Sequence, residues 1–318
     1  MLLFNSSIIV RAFNEEKHLG QLFTGLKQQT VDDFEVILVD SGSTDKTMEI
    51  ASGEGWGFPV KILQIAPEEF SFGRSLNLGI RHASSDIIVI ASAHVYPVYP
   101  DWIEKLISPL SNCKVAISYG KQRGGATTRF PEHQIFARWY PDQSKIQNTN
   151  PFSNNANAAI RKELWKEHRY DESLSGLEDL EWANWAIEHG YQVAYMAEAE
   201  IVHIHEDNPK GVYNRYRREA MAFKRIFPQE QFGFLEFIRL FFNNLISDSR
   251  IAARDGKIFK ELTNIIWFRL MQFWGTYRGY QQSGPLTQEL RKTFYYPGTS
   301  SKRFVPDTRG VKPIQYED

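Results

Sequence analysis

Apolar positions in the first third of the chain fall into short unbroken runs, and the segments between them carry apolar residues at helical spacing. Residues 7–10 and 34–39 are β-rich apolar runs, and Leu19, Leu22, Phe23 and Leu26 lie on one helical face between them. Met48 and Ile50 open a second helical segment, residues 60–65 a third strand, 75–82 another helix, and 87–91 a fourth, fully buried strand. Residues 101–110 join a D-x-x-E capping box, Asp101 with Glu104, to Ile103, Leu106, Ile107 and Leu110 on one face. Strands alternating with helices at this spacing predict an α/β fold with a mostly parallel sheet flanked by helices, in which ligands bind beyond the carboxyl ends of strands. The polar loops after Val10, Val39 and Ala91 should therefore converge on one site.

Residues 114–119 predict another strand, and 121–157 a loop-rich stretch with Gly124, Gly125 and the Asn-rich FSNNANAAI, of the kind that carries function. A helix over 178–189 follows, with Gly190 placed for a left-handed C-cap, then strands over 191–195 and 200–205. Beyond Phe232 the pattern shifts to aromatic-rich helices, FLEFIRLFFNNLI and IIWFRLMQFW, and from about Ser300 to a polar tail expected to be poorly ordered. The expected division is a domain over 1–230 and a helical C-terminal extension with a flexible tail over 231–318.

Composition narrows the function classes. With 318 residues, 42% of them apolar, the chain can bury a large core, and its formal charge of −1 argues against a nonspecific nucleic-acid binder. Cys113 alone excludes an intramolecular disulfide and fits a reducing compartment. The start, MLLFNSSIIV, lacks a basic n-region and a small-residue cleavage site, so a cytoplasmic location is expected. No run of about 18 apolar residues offers a membrane span.

The ordered set SIIVRAFNEE, VILVDSGSTDKT, GRSLNLGI, IIVIASAH, GLEDLEW and IVHIH resembles family-2 glycosyltransferases of the GT-A fold, over roughly residues 7–225. The resemblance implies an inverting transferase that moves a sugar from a nucleotide-sugar donor to a hydroxyl of a glycan or lipid-linked acceptor. It implies that Asp40 contacts the nucleoside, with Ser43 and Asp45 in the same loop, and that Ala12, Asn14 and Glu15 cradle the base; the plain alternatives are an Asx turn at Asp40 closed by Gly42 and a helix cap at Asn14. Arg74 and Asn77, one helical turn apart, suit a donor pyrophosphate or ribose, whereas the plain alternative for Arg74 is pairing with Glu68 or Glu69. Glu178 and Asp179 resemble the family's acidic pair facing the acceptor, with Asp179 as general base.

One departure stands out. Where the family carries its metal-binding Asp-X-Asp, this chain has Ser92, Ala93 and His94. Ser92 and Ala93 are expected beside the donor, and His94 with His203 is expected to hold a divalent cation, Mn²⁺ better than Mg²⁺, because imidazole replaces the hard anionic oxygen that Mg²⁺ prefers. His205, two residues past His203 on a strand, faces the same side. Two metal-free outcomes stay open: cationic side chains such as Arg74, Lys121 or Arg123 in place of the ion, or a nucleoside monophosphate sugar as donor.

Other classes fit less well. G-x-G-x-x-G is absent after the first strand, and no G-x-x-x-x-G-K-[ST] occurs, which disfavours a dinucleotide dehydrogenase and a P-loop kinase. A sugar nucleotidyltransferase would carry a Gly-rich basic loop where Arg11, Ala12, Phe13 and Asn14 stand. The rival from another class is a non-catalytic sugar-nucleotide-binding relative. Phe234, Phe237, Leu240 and Phe241 form an apolar stripe flanked by Arg239 and Arg250, as in a helix lying on a membrane or packed on its own domain or a second subunit. The cytoplasmic membrane face and a bacterial cell-surface polysaccharide are the settings the resemblance suggests.

Overall fold

The computed structural model of the protein describes residues 5–281 and 311–316. Strand β1 (Ser6–Ala12), helix α1 (Leu19–Lys27), β2 (Phe34–Asp40), α2 (Thr47–Ala51), β3 (Val60–Gln64), α3 (Phe72–His82) and β4 (Ile87–Ser92) alternate along the first 92 residues. Next come β5 (Val95–Pro97), α4 (Trp102–Ile107), β6 (Val115–Arg123), α5 (Phe130–Trp139), β7 (Lys145–Gln147), β8 (Asn157–Arg161), α6 (Lys162–Glu167), α7 (Glu178–Glu188) and β9 (Gln192–His203). Helices α8 (Pro209–Ile226), α9 (Phe234–Arg254) and α10 (Ile258–Tyr280) follow.

The strands form one sheet in the order β3-β2-β1-β4-β8-β6-β9-β5, with β7 also on β9. Its pleat sends alternate residues to opposite faces. Ile9 of β1 packs with Leu76 and Ile80 of α3, whereas Ile8 and Val10 pack with Leu19, Leu22 and Phe23 of α1 and Trp102 of α4. A strand buried on both faces has to be apolar throughout, and that is the origin of the unbroken runs.

Parallel pairing holds through β3-β2-β1-β4 and between β6 and β9. Strand β8 enters antiparallel between β4 and β6, so the sheet is mixed, with its parallel half toward the N-terminal loops. The expected strands 191–195 and 200–205 are one strand, β9, paired with β7 along its first half and β5 along its second. The stretch expected to be loop holds α5 and β7; Pro131 sits at the start of α5, where its missing N–H costs nothing. The capping box at Asp101 does not form: its backbone sits at φ −95°, ψ 15°, its side chain makes no cap bond, and the carboxylate lies 3.8 Å from Lys105 Nζ. Gly190 does adopt φ 85°.

Helix α8 carries few apolar residues, yet Val212, Tyr216, Ala220 and Phe223 recur on one face and are buried. Phe223, Phe237, Leu240, Phe273 and Tyr280 form one apolar cluster with Leu180 of α7, so the helical layer begins at α8, ahead of the expected boundary at 231. The stripe read as a candidate membrane face therefore turns inward at Phe237 and Leu240. The tail expected to be flexible lies outside the described residues except for 311–316, where the Ile314 N–H donates to the Val98 carbonyl and Tyr316 packs on Tyr96.

Candidate active site

The loops beyond β1 and β2 are laced together through polar side chains. Asn14, at φ 56°, donates its N–H to Ser43 Oγ and accepts from the Thr44 N–H, each at 2.8 Å. The Glu15 N–H donates to Thr47 Oγ1 at 2.7 Å, and the Glu16 N–H to Asp45 Oδ2 at 3.0 Å. The two loops thus form a fixed rim above the parallel strands, lining a cavity of about 560 Å³ with Asn14, Glu15, Thr44, Asp45, His94 and His205.

Beside that rim three imidazoles gather. His94 leaves the end of β4, and His203 ends β9, where Val95 pairs with it across the sheet. One ring nitrogen from each of His94, His203 and His205 lies within 4.8 Å of those of the other two. Each Nδ1 has an acceptor: Glu15 Oε1 at 2.7 Å for His94, Gln122 Oε1 at 2.8 Å for His203, and Glu132 Oε1 at 2.8 Å for His205. A proton on Nδ1 leaves Nε2 as a lone-pair donor. His203 Nε2 is buried and has no hydrogen-bond partner among the described residues. Burial, reinforced by the neighbouring imidazoles, holds His203 well below the usual histidine range, and therefore neutral. An orphaned buried nitrogen in a cluster of three imidazoles fits a divalent transition cation.

The histidines also line a second cavity, of about 350 Å³, whose far wall carries Glu178 and Asp179 at the start of α7. His94 and His205 border both cavities, so the two are joined at the imidazoles. Leu177 precedes α7 in the left-handed region at φ 59°, a conformation costly for a branched residue, and it turns the acidic pair into the cleft. Asp179 accepts from the Asn155 N–H at 3.0 Å and the Leu180 N–H at 2.8 Å. Burial, followed by the adjacent Glu178 charge, pushes Asp179 up to about 7 against these hydrogen bonds and Arg11. Glu178 pairs with Arg11 Nη1 at 3.0 Å and accepts from Asn155 Nδ2 at 3.3 Å. A carboxyl poised near neutrality in a cleft can take a proton from an alcohol at working pH.

A family model described as "Glycosyl transferase family 2" matches residues 7–169, more than half of the chain. The chain belongs to glycosyl transferase family 2. The O-antigen chain rhamnosyltransferase RfbN of Salmonella typhimurium is 26% identical over 66% of this glycosyltransferase and 69% of that protein. The O-antigen chain rhamnosyltransferase WbaN of Salmonella anatum is 28% identical over the same shares. Among solved structures, the mannosyltransferase PcManGT of Pyrobaculum calidifontis, in complex with GDP-Man and Mn²⁺, superposes with a TM-score of 0.57 at 18% identity, covering 87% of this chain and 84% of that one. S. aureus TarS 1-349 with UDP-GlcNAc superposes with a TM-score of 0.55 at 14% identity, covering 98% and 99%. These likenesses establish the GT-A fold.

Within this family-2 glycosyltransferase the expected site residues divide. Asn14, Glu15, Asp45, Ser92, His94, Glu178, Asp179 and His203 each line one of the two cavities. Ala12, Asp40, Ser43, Arg74, Asn77 and Ala93, expected beside the donor, are not among the residues that line either cavity. Asp40 is 1% exposed and its carboxylate accepts from the Gly42 and Ser43 N–H groups, so it shapes the loop in an Asx turn. Ala93 is wholly buried among the core residues packed on α1 and α4, leaving Ser92 and His94 to face the cleft. Ala12 is likewise buried, which leaves its backbone as its only contact surface.

Asn77 donates to the Tyr170 carbonyl and Glu172 and accepts from Trp165 Nε1 and the Tyr170 N–H, so its amide has no capacity left for a donor. Arg74 pairs with Glu69 at 3.1 Å, the plain alternative. Lys121 and Arg123, considered as metal substitutes, both pair with Glu200. Asn77→Ala is expected to cost about 3 kcal/mol of stability, because it leaves buried partners unpaired, with nucleotide affinity unchanged. Denaturant titration beside nucleotide titration checks both halves.

Arg11, Asn155, Gln122, Glu132 and Arg215 were not expected as site residues; Arg11 lies in the first-strand loop and Asn155 in the Asn-rich run, while the other three carry no signal in the sequence. Glu15, expected at the base, lines the first cavity and also meets His94 Nδ1 at 2.7 Å.

Proposed function

We propose that this glycosyltransferase transfers a sugar, with inversion, from a nucleotide-sugar donor to a hydroxyl of a glycan or lipid-linked acceptor in cell-surface polysaccharide synthesis. The single observation that carries the reading is Asp179, pushed up to about 7, on the wall of a cavity that His94 and His203 also line. The nucleotide would lie on the rim built by Asn14, Ser43, Thr44 and Asp45. The acceptor oxygen attacks the anomeric carbon while Asp179 takes its proton. The new carbon–oxygen bond forms as the bond to the donor phosphate breaks, and the nucleotide leaves with that electron pair. His94 and His203 would hold a divalent cation, which when bound neutralises charge on the leaving phosphate. Arg11 holds Glu178 in place, which makes Glu178 a positioning residue for Asp179.

The rhamnosyltransferase relatives support the polysaccharide setting and nominate rhamnosyl nucleotides for the first assay. A nucleotide-sugar panel read by thermal shift, with and without Mn²⁺, tests the donor. The true donor at 100 times its dissociation constant stabilises by about 2.7 kcal/mol. A panel with no stabilising nucleotide sugar would refute the donor class.

No helix among the described residues is long and apolar enough to cross a membrane. Peripheral contact with the cytoplasmic face is instead supported by the junction of α9 and α10, where Phe259 in the first turn of α10 is 98% exposed and Arg250, Arg254, Lys257 and Lys260 of the same stretch are exposed. Phe259→Asp is expected to lower partitioning onto anionic vesicles about tenfold with transfer to a soluble acceptor unchanged. Equal co-sedimentation of both proteins would remove the membrane contact.

A further inference from the structure

The cation reading so far uses His94 and His203, and the geometry around His205 goes further. His205 lies beyond the end of β9, its ring centroid 4.1 Å from that of His203 and 5.9 Å from that of His94. Its Nδ1 stands 2.8 Å from Glu132 Oε1 and 2.8 Å from Arg215 Nη1. Arg215 Nη2 also donates to Glu132 Oε1 at 2.8 Å, which fixes the carboxylate against the ring. Glu132 and Arg215 both meet the ring at Nδ1, which leaves Nε2 open to a ligand, as the Glu15 and Gln122 contacts at Nδ1 do for His94 and His203. Ser92 Oγ lies 3.3 Å from His94 Nε2, consistent with a lone pair on that atom.

We propose that His94, His203 and His205 together form a three-imidazole site for a transition-metal dication such as manganese, cobalt or zinc, in preference to magnesium, with Glu15, Gln122 and Glu132 as its outer shell. The proposal rests on the reading of this cleft as the cation-holding site. Three protein ligands with room for more is the pattern of catalytic sites, where substrate or water completes the coordination. Neutral nitrogen suits borderline dications, and magnesium, which prefers hard anionic oxygen, gains little from it. Glu15 supplies negative charge at one remove, whereas the charge of Glu132 is offset by Arg215, and both carboxylates orient the rings they touch. Substituting aspartates by histidines thus changes the metal preference of the site while keeping a site.

The test uses the full chain without nucleotide, so turnover plays no part. Cobalt binding is followed by visible absorption and manganese by EPR in the native protein, His205→Ala, Glu15→Gln and Asp179→Asn. The expected result is binding in the native protein and Asp179→Asn alike, weakened about tenfold or more in His205→Ala and in Glu15→Gln, with excess magnesium failing to compete. Pulsed EPR of the copper(II)-loaded native protein counts coordinated imidazoles without any variant, and three are expected. Unchanged affinity in folded His205→Ala, two imidazoles by pulsed EPR, or displacement by equimolar magnesium would each overturn the proposal. Transfer lost in Asp179→Asn alongside any of these would leave the transferase reading standing, so the two fail separately.

Discussion

Replacing Asp179 with asparagine is expected to lower glycosyl transfer by about 10²-fold or more while nucleotide affinity stays the same. The side chain is 8% exposed, faces the cleft and is bound by the Asn155 and Leu180 N–H groups. An asparagine can keep one of these hydrogen bonds and fill the same volume. What it lacks is a site for the acceptor's proton. Asp179 is not among the residues lining the cavity proposed for the nucleotide, so nucleotide affinity has no reason to change. Initial rates and nucleotide titrations on the same preparation separate the two effects; equal turnover in the variant would assign the base elsewhere.

The second large effect is on pH. With Asp179 as the proposed base, transfer should need it deprotonated, and its carboxyl is pushed up to about 7, by burial first and the Glu178 charge second. Below that value each pH unit removes about tenfold of the active form, so kcat/KM should rise with a slope near one and level off above about 7. Since Glu178 and Asp179 interact, the inflection belongs to the pair. Stability should run the other way. A carboxyl whose folded value lies above its unfolded one of about 3.9 binds more protons when folded, so the native protein loses stability as pH rises from about 4 to about 7. Asp179→Asn should lack that component, and denaturant titrations at several pH values would show the curves diverging across this window. A flat rate profile from pH 5 to 8 would contradict the assignment.

The doubly wound half of the fold was legible because its strands are buried on both faces and its helices on one, which leaves two distinct periods in the chain. Helices α5 and α8 were not, since part of what they bury is polar. Glu132 is 4% exposed and pairs with Arg215, and neither contributes to an apolar stripe. In the site, His94, His203 and Asp179 stood out because histidine and paired carboxylates at strand ends and helix starts are chemically conspicuous. Asp40 and Asn77 show a shared limit of spacing, which places a polar residue on a face, whereas only packing decides whether its hydrogen bonds serve a ligand or the protein itself. Asp40 closes a turn, and Asn77 joins α3 to Tyr170 and Trp165. The outer shell of the histidines joins residues as far as 81 positions apart, a relation that one sequence does not display.

The most direct test is an anomalous difference map from crystals grown with Mn²⁺ and the donor nucleotide sugar. The expected result is a manganese peak at His94 and His203, the nucleotide along the Asn14 to Asp45 rim, and the sugar between the metal and Asp179. A nucleotide bound in a pocket bordered by neither the histidines nor Asp179 would contradict it.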